Sequence, residues 1–445
     1  MKAISVSLVG ALLAGALATP DYARAQGLVE LYEFALRTNP DLLAQARTRD
    51  AVQETVNQAQ ALLLPNLSGS ASFSRTFNFN EPPGVVDGNQ GDIALSLIQP
   101  VYNRRLYKGI DQAEAVADQA EANLISTGHS LLFTVAQRYF DVLAAQEVLT
   151  FALKDKEAIG RQLEQAKRRF EVGLITITAV QEAQARFDTA TADEILARVQ
   201  LADTKELLRQ VVGRYYDQIN LLDPEVPLEP PVPNDVEEWV VIALANNPQI
   251  MSARFAADAA REEIEIARSD RYPEVDFTAS YGRITTSGAL DDTRYTGQLG
   301  IQLNVPLFQG GGISSRVRQE AFEFESSKQQ LEATQRDVVQ QVRISFQDLT
   351  AALSRIRALE QSVVSNNSAL EATQAGFEVG TRTIVDVLDA ERNLFLAEQN
   401  LAVERFDYLV NYLSLLQAAG RIDLRDLAAI DQFLTPDRKT TKSDF

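Results

Sequence analysis

Long helical stretches and short alternating segments follow one another along the chain. The intervals 101–223 and 307–435 contain no proline and are rich in Ala, Gln, Glu, Leu and Arg, which favour helices. A Val-Gly pair lies near the middle of each interval, at Gly173 and Gly380, and glycine suits the tight reversal that ends a helix. The pattern therefore predicts two hairpins, each made of two long helices.

The predicted helices are longer than those of an ordinary globular domain. In the first hairpin they cover residues 104–172 and 176–212, and at 1.5 Å per residue the first of them extends roughly 100 Å. A further helix precedes each hairpin, at residues 28–63 and 236–269. We therefore expect an elongated, mainly helical chain.

Two segments before each hairpin alternate apolar with small polar side chains, which predicts β-strands. The apolar positions are Leu67, Ala71, Phe73, Phe77, Phe79, Ile93, Leu95 and Leu97 in the first pair of segments, and Val275, Phe277, Ala279, Tyr281, Tyr295, Leu299, Ile301, Leu303 and Val305 in the second. Small hydroxyl and amide residues opposite aromatic ones are typical of a membrane β-barrel. Two soluble hairpins on a helical layer would alternate in the same way, and the weak strand signals by themselves favour that alternative.

The chain consists of two copies of a unit of about 207 residues. Asn39-Pro40 recurs as Asn247-Pro248, and further landmarks recur in the same order at offsets of 206 to 208 positions. We assign residues 1–25 to a signal peptide, 26–223 to repeat 1, 224–234 to a Pro-rich linker, 235–433 to repeat 2 and 434–445 to a disordered tail.

The first 25 residues have the pattern of a secretory signal peptide. Lys2 precedes an apolar run over residues 3–18, and a small-x-small triplet ends at Ala25. A second such triplet ends at Ala18, so the sequence leaves two cleavage positions open. An N-terminal membrane anchor is the alternative, but the apolar run is short for a membrane span. We therefore expect an exported protein.

Four predicted strands cannot close a barrel within one chain. Open sheet edges do not occur in lipid, and the smallest outer-membrane barrels have about eight strands. If these strands lie in a membrane, chains must associate through the sheet, and two chains would supply eight strands whereas three would supply twelve. The sequence does not choose between the two.

The composition argues against several classes of function. The chain has 42 Lys and Arg against 61 Asp and Glu, a net charge of −19, which disfavours binding to nucleic acid. It has no Cys and a single His, His129, so thiolate sites, His-rich metal sites and Ser-His-Asp triads are not expected. We therefore predict neither an enzyme nor a cofactor or metal.

These features together resemble the family of TolC-type outer membrane channel proteins. The resemblance extends over nearly the whole chain and rests on the repeated Asn-Pro pairs, on Leu64-Pro65 before the first strand, and on the run from Val379 to Ala390, which reads Val-Gly-Thr-Arg-Thr-Ile-Val-Asp-Val-Leu-Asp-Ala. It implies a mainly α fold with a small membrane β part. In a homotrimer, twelve strands would form one outer-membrane β-barrel that continues into a long periplasmic α-helical barrel.

The resemblance implies a passive exit channel in the outer membrane that serves efflux pumps and type I secretion. Its partners would be two further copies of the chain, a periplasmic adaptor protein and an inner-membrane transporter of the ABC, RND or MFS class. Outer membrane lipid would surround the strands, and no nucleic acid would be bound. A structural periplasmic coiled-coil protein without a pore is the alternative.

The resemblance also implies roles for residues near the second turn. Asp386 and Asp389, at i and i+3 on one helix face, would line the pore constriction. Arg382, together with Thr178, would latch the gate. Three further gate positions differ from the family's residues, namely Ala179, Arg168 and Phe377. The plainer alternatives are a solvated Asp pair and a surface contact between Arg382 and Asp386.

Two more sets of residues complete the expected functional surface. The turns that would dock the adaptor contain Val172, Gly173, Leu174, Thr176, Val379, Gly380 and Thr383, and Ile175 is expected to be exposed beside Leu174. Turn geometry explains the two glycines equally well. The aromatic residues expected on the membrane strands are Phe73, Phe77, Phe79, Phe277, Tyr281 and Tyr295.

Overall fold

The computed structural model describes residues 27–76, 88–223, 226–287 and 292–435 of a single chain. The predicted signal peptide, Phe77, Phe79 and residues 436–445 of the predicted tail lie outside the described residues. The first two residues of the predicted tail, Leu434 and Thr435, form a short strand, because the Leu434 side chain is buried in the core.

Both halves of the chain contain the same succession of elements, except that the second half has an additional short helix before its last strand. The first half comprises α1 (Leu28–Thr38), α2 (Pro40–Ala61), β1 (Asn66–Thr76), β2 (Gly88–Tyr102), α3 (Arg104–Glu171), α4 (Ile177–Val212) and β3 (Leu221–Leu222). The second half comprises α5 (Val236–Asn246), α6 (Pro248–Ser269), β4 (Glu274–Ser287), β5 (Asp292–Asn304), α7 (Gly312–Glu378), α8 (Ile384–Ala418), α9 (Leu424–Asp431) and β6 (Leu434–Thr435). The long helices α3 and α7 have 68 and 67 residues, so the two hairpins are nearly equal in length.

The helix predicted over residues 28–63 is two helices, α1 and α2, which meet at Asn39. Pro40 disfavours helical geometry in the residue before it, and Asn39 is accordingly extended, with φ −67° and ψ 120°. Its side-chain oxygen accepts hydrogen bonds from the backbone N–H groups of Asp41 and Leu42, each at 3.1 Å, and so caps α2. The predicted helix 236–269 is interrupted in the same way at Asn247.

The same two asparagines join helices end to end. The Asn39 side-chain amide donates to the carbonyl of Val211 at 3.1 Å, so the start of α2 meets the end of α4. The Asn247 amide donates to the carbonyl of Ala418 at 2.9 Å, so the start of α6 meets the end of α8. Since α3 packs on all four of these helices and α7 packs on α6 and α8, the lateral order is α2/α4, α3, α6/α8, α7.

The four long strands form one antiparallel sheet in the order β1-β2-β4-β5. Residues directly opposite in an antiparallel pair point to the same face, and the register pairs odd-numbered residues with odd-numbered ones, such as Leu95 with Tyr281. One face is therefore mostly apolar and the other is rich in Ser, Thr and Gln. Across the polar face the hydroxyls of Ser68 and Ser96 lie 2.7 Å apart.

The largest buried cluster lies around the middle of α3, where the short helices α1, α5 and α9 pack against the long ones. Tyr139 and Phe140 are fully buried there, and the Tyr139 hydroxyl donates to the carbonyl of Asn220 at 2.7 Å. The predicted linker lies against this region, since Trp239 Nε1 donates to the carbonyl of Pro233 at 2.7 Å. The core thus holds the hairpins together far from their turns.

A mainly helical fold with a small sheet is confirmed. Within the ranges that the structure describes, no helix combines the length and the apolar character needed to cross a membrane.

Candidate functional site at the helical turns

Each hairpin turns at a glycine with a positive φ, which is 74° at Gly173 and 79° at Gly380. These angles are strained for other residues, so both turns need glycine although a β-carbon would meet no neighbouring atom. Backbone hydrogen bonds close the turns, from Gly173 N to the carbonyl of Phe170 at 2.9 Å and from Gly380 N to that of Phe377 at 3.1 Å. The two turns therefore have the same construction.

Large apolar side chains stand exposed at both turns. Val172 is 70% exposed, Leu174 73% and Val379 74%. Ile175, which we expected to be exposed, is half-buried because it packs on a small cluster formed by α3 and α4. Leu174 and the two valines are therefore the most exposed large apolar side chains at this end of the chain.

The start of α8 is closed by a reciprocal capping arrangement between Thr383 and Asp386. The Asp386 carboxylate accepts from the Thr383 backbone N–H at 2.8 Å and from its hydroxyl at 2.9 Å. The Thr383 hydroxyl in turn lies 3.2 Å from the Asp386 backbone N–H, which donates to it. These hydrogen bonds, and more weakly the positive charge of Arg382, lower the pKa of the Asp386 carboxyl, so it is ionised at neutral pH.

Asp389 lies one turn further along α8 and has a different partner. Its Oδ1 atom lies 2.5 Å from Nη1 of Arg186, which belongs to α4. The ion pair borders a cavity of about 250 Å³ that is also lined by Asp155, Asp193 and Arg392. The two aspartates that the sequence predicts as one set are thus bonded differently, one to uncharged donors and the other to a cation.

The predicted latch residues do not bond to each other within the chain. In the described part of the chain the Arg382 guanidinium forms neither a hydrogen bond nor an ion pair, and its Cγ atom lies over Gly376, where a β-carbon would be only 2.8 Å away. The Thr178 hydroxyl lies 2.6 Å from that of Thr176, the residue before α4. The latch therefore stays a prediction.

Two further residues connect the hairpins. The Arg169 guanidinium, on α3, lies 4.8 Å from the ring centroid of Phe377, on α7. Arg186 links α4 to α8 as described above. Arg168, which we expected to be part of the gate, pairs instead with Glu164 on its own helix, with 3.8 Å between Nη2 and Oε2.

Sequence reasoning missed Arg186 and Arg169 because their partners lie more than 200 residues away along the chain. A partial signal did exist for Arg186. Both α4 and α8 lead away from their turns, and Arg186 is only four residues further from Gly173 than Asp389 is from Gly380. Four residues are about one helical turn, roughly 6 Å along the helix axis, which the long arginine side chain can span to reach Asp389.

The sheet carries the second predicted set of residues. Phe73, Phe277, Tyr281 and Tyr295 lie on the same face by the strand register. Phe277 is half-buried, whereas the other three are exposed together with Leu299, Ile301 and Leu303. This face is thus a continuous exposed apolar surface, which soluble monomers rarely present.

Comparison with known proteins agrees with this architecture. The profile of the family described as outer membrane efflux protein matches residues 31–214 and 239–421, one match in each half. Outer membrane protein TolC of Escherichia coli is 36% identical over 447 residues, covering 98% of this chain and 90% of that protein. Alkaline protease secretion protein AprF of Pseudomonas aeruginosa is 31% identical, and the match covers 97% of this chain and 91% of that protein. The crystal structure of the outer membrane protein VceC of Vibrio cholerae superposes with a TM-score of 0.75 at 21% identity. The superposition covers 88% of this chain and 96% of that one.

Proposed function

The chain belongs to the outer membrane efflux protein family, and we propose that three copies of it assemble into one exit duct. It is an outer-membrane exit channel for efflux and secretion, with a large periplasmic part. Channels of this family work with efflux or secretion pumps. The trimer, the adaptor, the transporter and the roles of single residues belong to the proposal.

The observation that carries the proposal is a sheet with one exposed apolar face and two unpaired edges. Within the described residues β1 pairs only with β2 and β5 only with β4, so both outer strands present free backbone groups. Such edges are not stable in lipid, so the sheet must close with strands of other chains. Three copies would supply twelve strands, enough for a barrel with an open interior.

The helical part has matching free flanks. α4 and α7 lie at opposite ends of the lateral helix order, and each exposes apolar side chains. Ile195, Leu196 and Val199 are exposed on α4, and Val364 is exposed on α7. Contact between these flanks in neighbouring copies would extend the helical wall into a closed tube that continues the barrel.

We place the constriction of this tube at the turns, where Asp386 and Asp389 begin the return helix α8. Copies related by symmetry would arrange these residues as rings, and rings of carboxylates favour cations. We assign the exposed Val172, Leu174 and Val379 to the docking of a periplasmic adaptor, which would recruit an ABC, RND or MFS transporter as the source of energy.

Native mass spectrometry of protein extracted from outer membranes tests the assembly. We expect trimers in mild detergent that conduct ions when reconstituted into planar bilayers. A monomer or a dimer would contradict the proposed assembly. Trimers without conductance would favour the alternative function, a structural periplasmic protein without a pore.

A further inference from the structure

We propose that Arg186 determines the ion selectivity of this channel by neutralising Asp389, which leaves Asp386 as the carboxylate that sets the charge of the constriction. The inference rests on the constriction proposed above, and it adds a residue that lies on the other hairpin. It predicts half as many uncompensated carboxylates at the narrow end as the sequence by itself suggests.

The geometry of the pair supports direct neutralisation. Arg186 faces Asp389 with both terminal nitrogens, with Nη1 to Oδ1 at 2.5 Å and Nη2 to Oδ2 at 3.5 Å. A guanidinium group that donates to a carboxylate with both terminal nitrogens forms stronger hydrogen bonds than a neutral donor would. The side chains are 32% and 55% exposed in the single chain, so the pair lies at a surface where ions can sense its charge.

The surrounding charges do not replace Arg186. Asp155, Asp193 and Arg392 line the same cavity, and the described residues provide no other ion pair to Asp389. Arg392 acts on Asp155, where its positive charge opposes the rise in pKa that burial of that carboxyl causes. Removing the Arg186 charge would therefore leave Asp389 without an ion-pair partner among the described residues.

Asp386 provides the contrast. Its hydrogen-bond donors are the backbone N–H and the hydroxyl of Thr383, which carry no net charge. Hydrogen bonds from neutral donors hold the carboxylate in place without cancelling its charge. Arg382 acts on Asp386 only weakly, because among the described residues its guanidinium forms no ion pair with that carboxylate. Substitutions at the two aspartates should therefore have different consequences, although the residues lie on one face of one helix.

The experiment measures the K⁺/Cl⁻ permeability ratio from reversal potentials of single trimers in planar bilayers, in about 0.1 M salt, where charges act over about 10 Å. We expect Arg186→Gln to raise the ratio roughly twofold or more, because a free carboxylate is added at each Asp389. Asp389→Asn should lower the ratio below wild type, because Arg186 is then unpaired. The double variant should return close to wild type.

Two controls separate charge from disturbance of the fold. Arg186→Lys keeps the positive charge and should keep the wild-type ratio. Arg209→Gln removes a cation that is paired with Glu206 near the other end of α4, 2.5 Å from its Oε1 atom, and should leave the ratio unchanged. Raising the salt to about 1 M, where the screening length is about 3 Å, should reduce the differences among the variants.

The outcomes distinguish this inference from the function beneath it. The inference is overturned if Asp386→Asn lowers the permeability ratio while conducting trimers of Arg186→Gln have the wild-type ratio. Arg186 would then not compensate the charge of Asp389. If neither Asp386→Asn nor Asp389→Asn changes the ratio, the proposed constriction itself is misplaced.

Discussion

At the scale of single residues, Asn39 and Asn247 show how one side chain determines a joint between helices. Each oxygen caps the helix that follows, and each amide group donates to the last turn of the return helix in its own repeat, α4 or α8. Asparagine suits this position because its side chain both accepts and donates hydrogen bonds. The Asn-Pro pairs were visible in the sequence as repeat landmarks, but their second contact was not.

We expect Asn247→Ala to lower the melting temperature of the assembled protein. The substitution removes a helix cap, which contributes about 0.5–2 kcal/mol, and leaves the buried Ala418 carbonyl without its donor. Asn246→Ala is the matched control, because that side chain donates only to the exposed end of its own helix, at the carbonyl of Ile242, 2.8 Å away. Equal melting temperatures at one fixed scan rate would show that the joint is unimportant.

At the scale of elements, the two hairpins touch near their turns through few side chains. Arg186 bonds to Asp389, Arg169 lies over Phe377, and a small apolar cluster of Ile159, Ala190 and Leu388 packs between them. Phe377 has no hydroxyl, so its ring cannot donate a hydrogen bond and instead presents its face to the Arg169 guanidinium. The contact that the structure shows at this position is therefore a cation–π contact, and the polar latch stays a prediction.

We expect Phe377→Leu to make the reconstituted channel open more often, because it removes a cation–π contact between the hairpins. Such contacts contribute about 0.5–1 kcal/mol at exposed sites, which corresponds to about a two- to fivefold change in the open-to-closed ratio. Phe170→Leu is the matched control, because Phe170 occupies the equivalent position in the other repeat and its side chain is exposed on α3. Identical single-channel opening in both variants would exclude this contact from the gate.

At the scale of the whole molecule, the chain divides into a short sheet for the outer membrane and two long helical hairpins for the periplasm. The sheet exposes apolar side chains on one face, whereas the hairpins expose many charged side chains. The net charge of −19 first served only as an argument against nucleic acid. Asp386 now accounts for one charge with a proposed role, while Asp389 is balanced by Arg186.

We expect Leu299→Arg to prevent stable insertion into the outer membrane. Leu299 is 76% exposed on the apolar face, and an arginine facing lipid near the middle of a barrel costs about 2–4 kcal/mol in each chain. Gln298→Arg, one residue earlier on the polar face, should insert normally. Membrane fractionation compares the two variants, and equal insertion would contradict the assignment of the apolar face to lipid.

The sequence by itself determined the helical hairpins, the turns at Gly173 and Gly380, the duplication and the strand alternation. These features follow from local properties, namely proline and glycine positions and side-chain periodicity, which need no knowledge of distant neighbours. Family resemblance then indicated the region of the site. The break at Asn39 could also have been predicted, since Pro40 restricts the residue before it.

Only the tertiary structure decided which distant residues meet, both within each repeat and between the two repeats. The partners of Arg186, Arg169 and the two asparagine amides lie 170 or more residues away, and contacts at such separations depend on the lateral packing of whole helices. Periodicity placed Asp386 and Asp389 on one helix face, but it did not show that a cation from another hairpin reaches only one of them. The difference in ion pairing between these two carboxylates is therefore a property of the packed molecule.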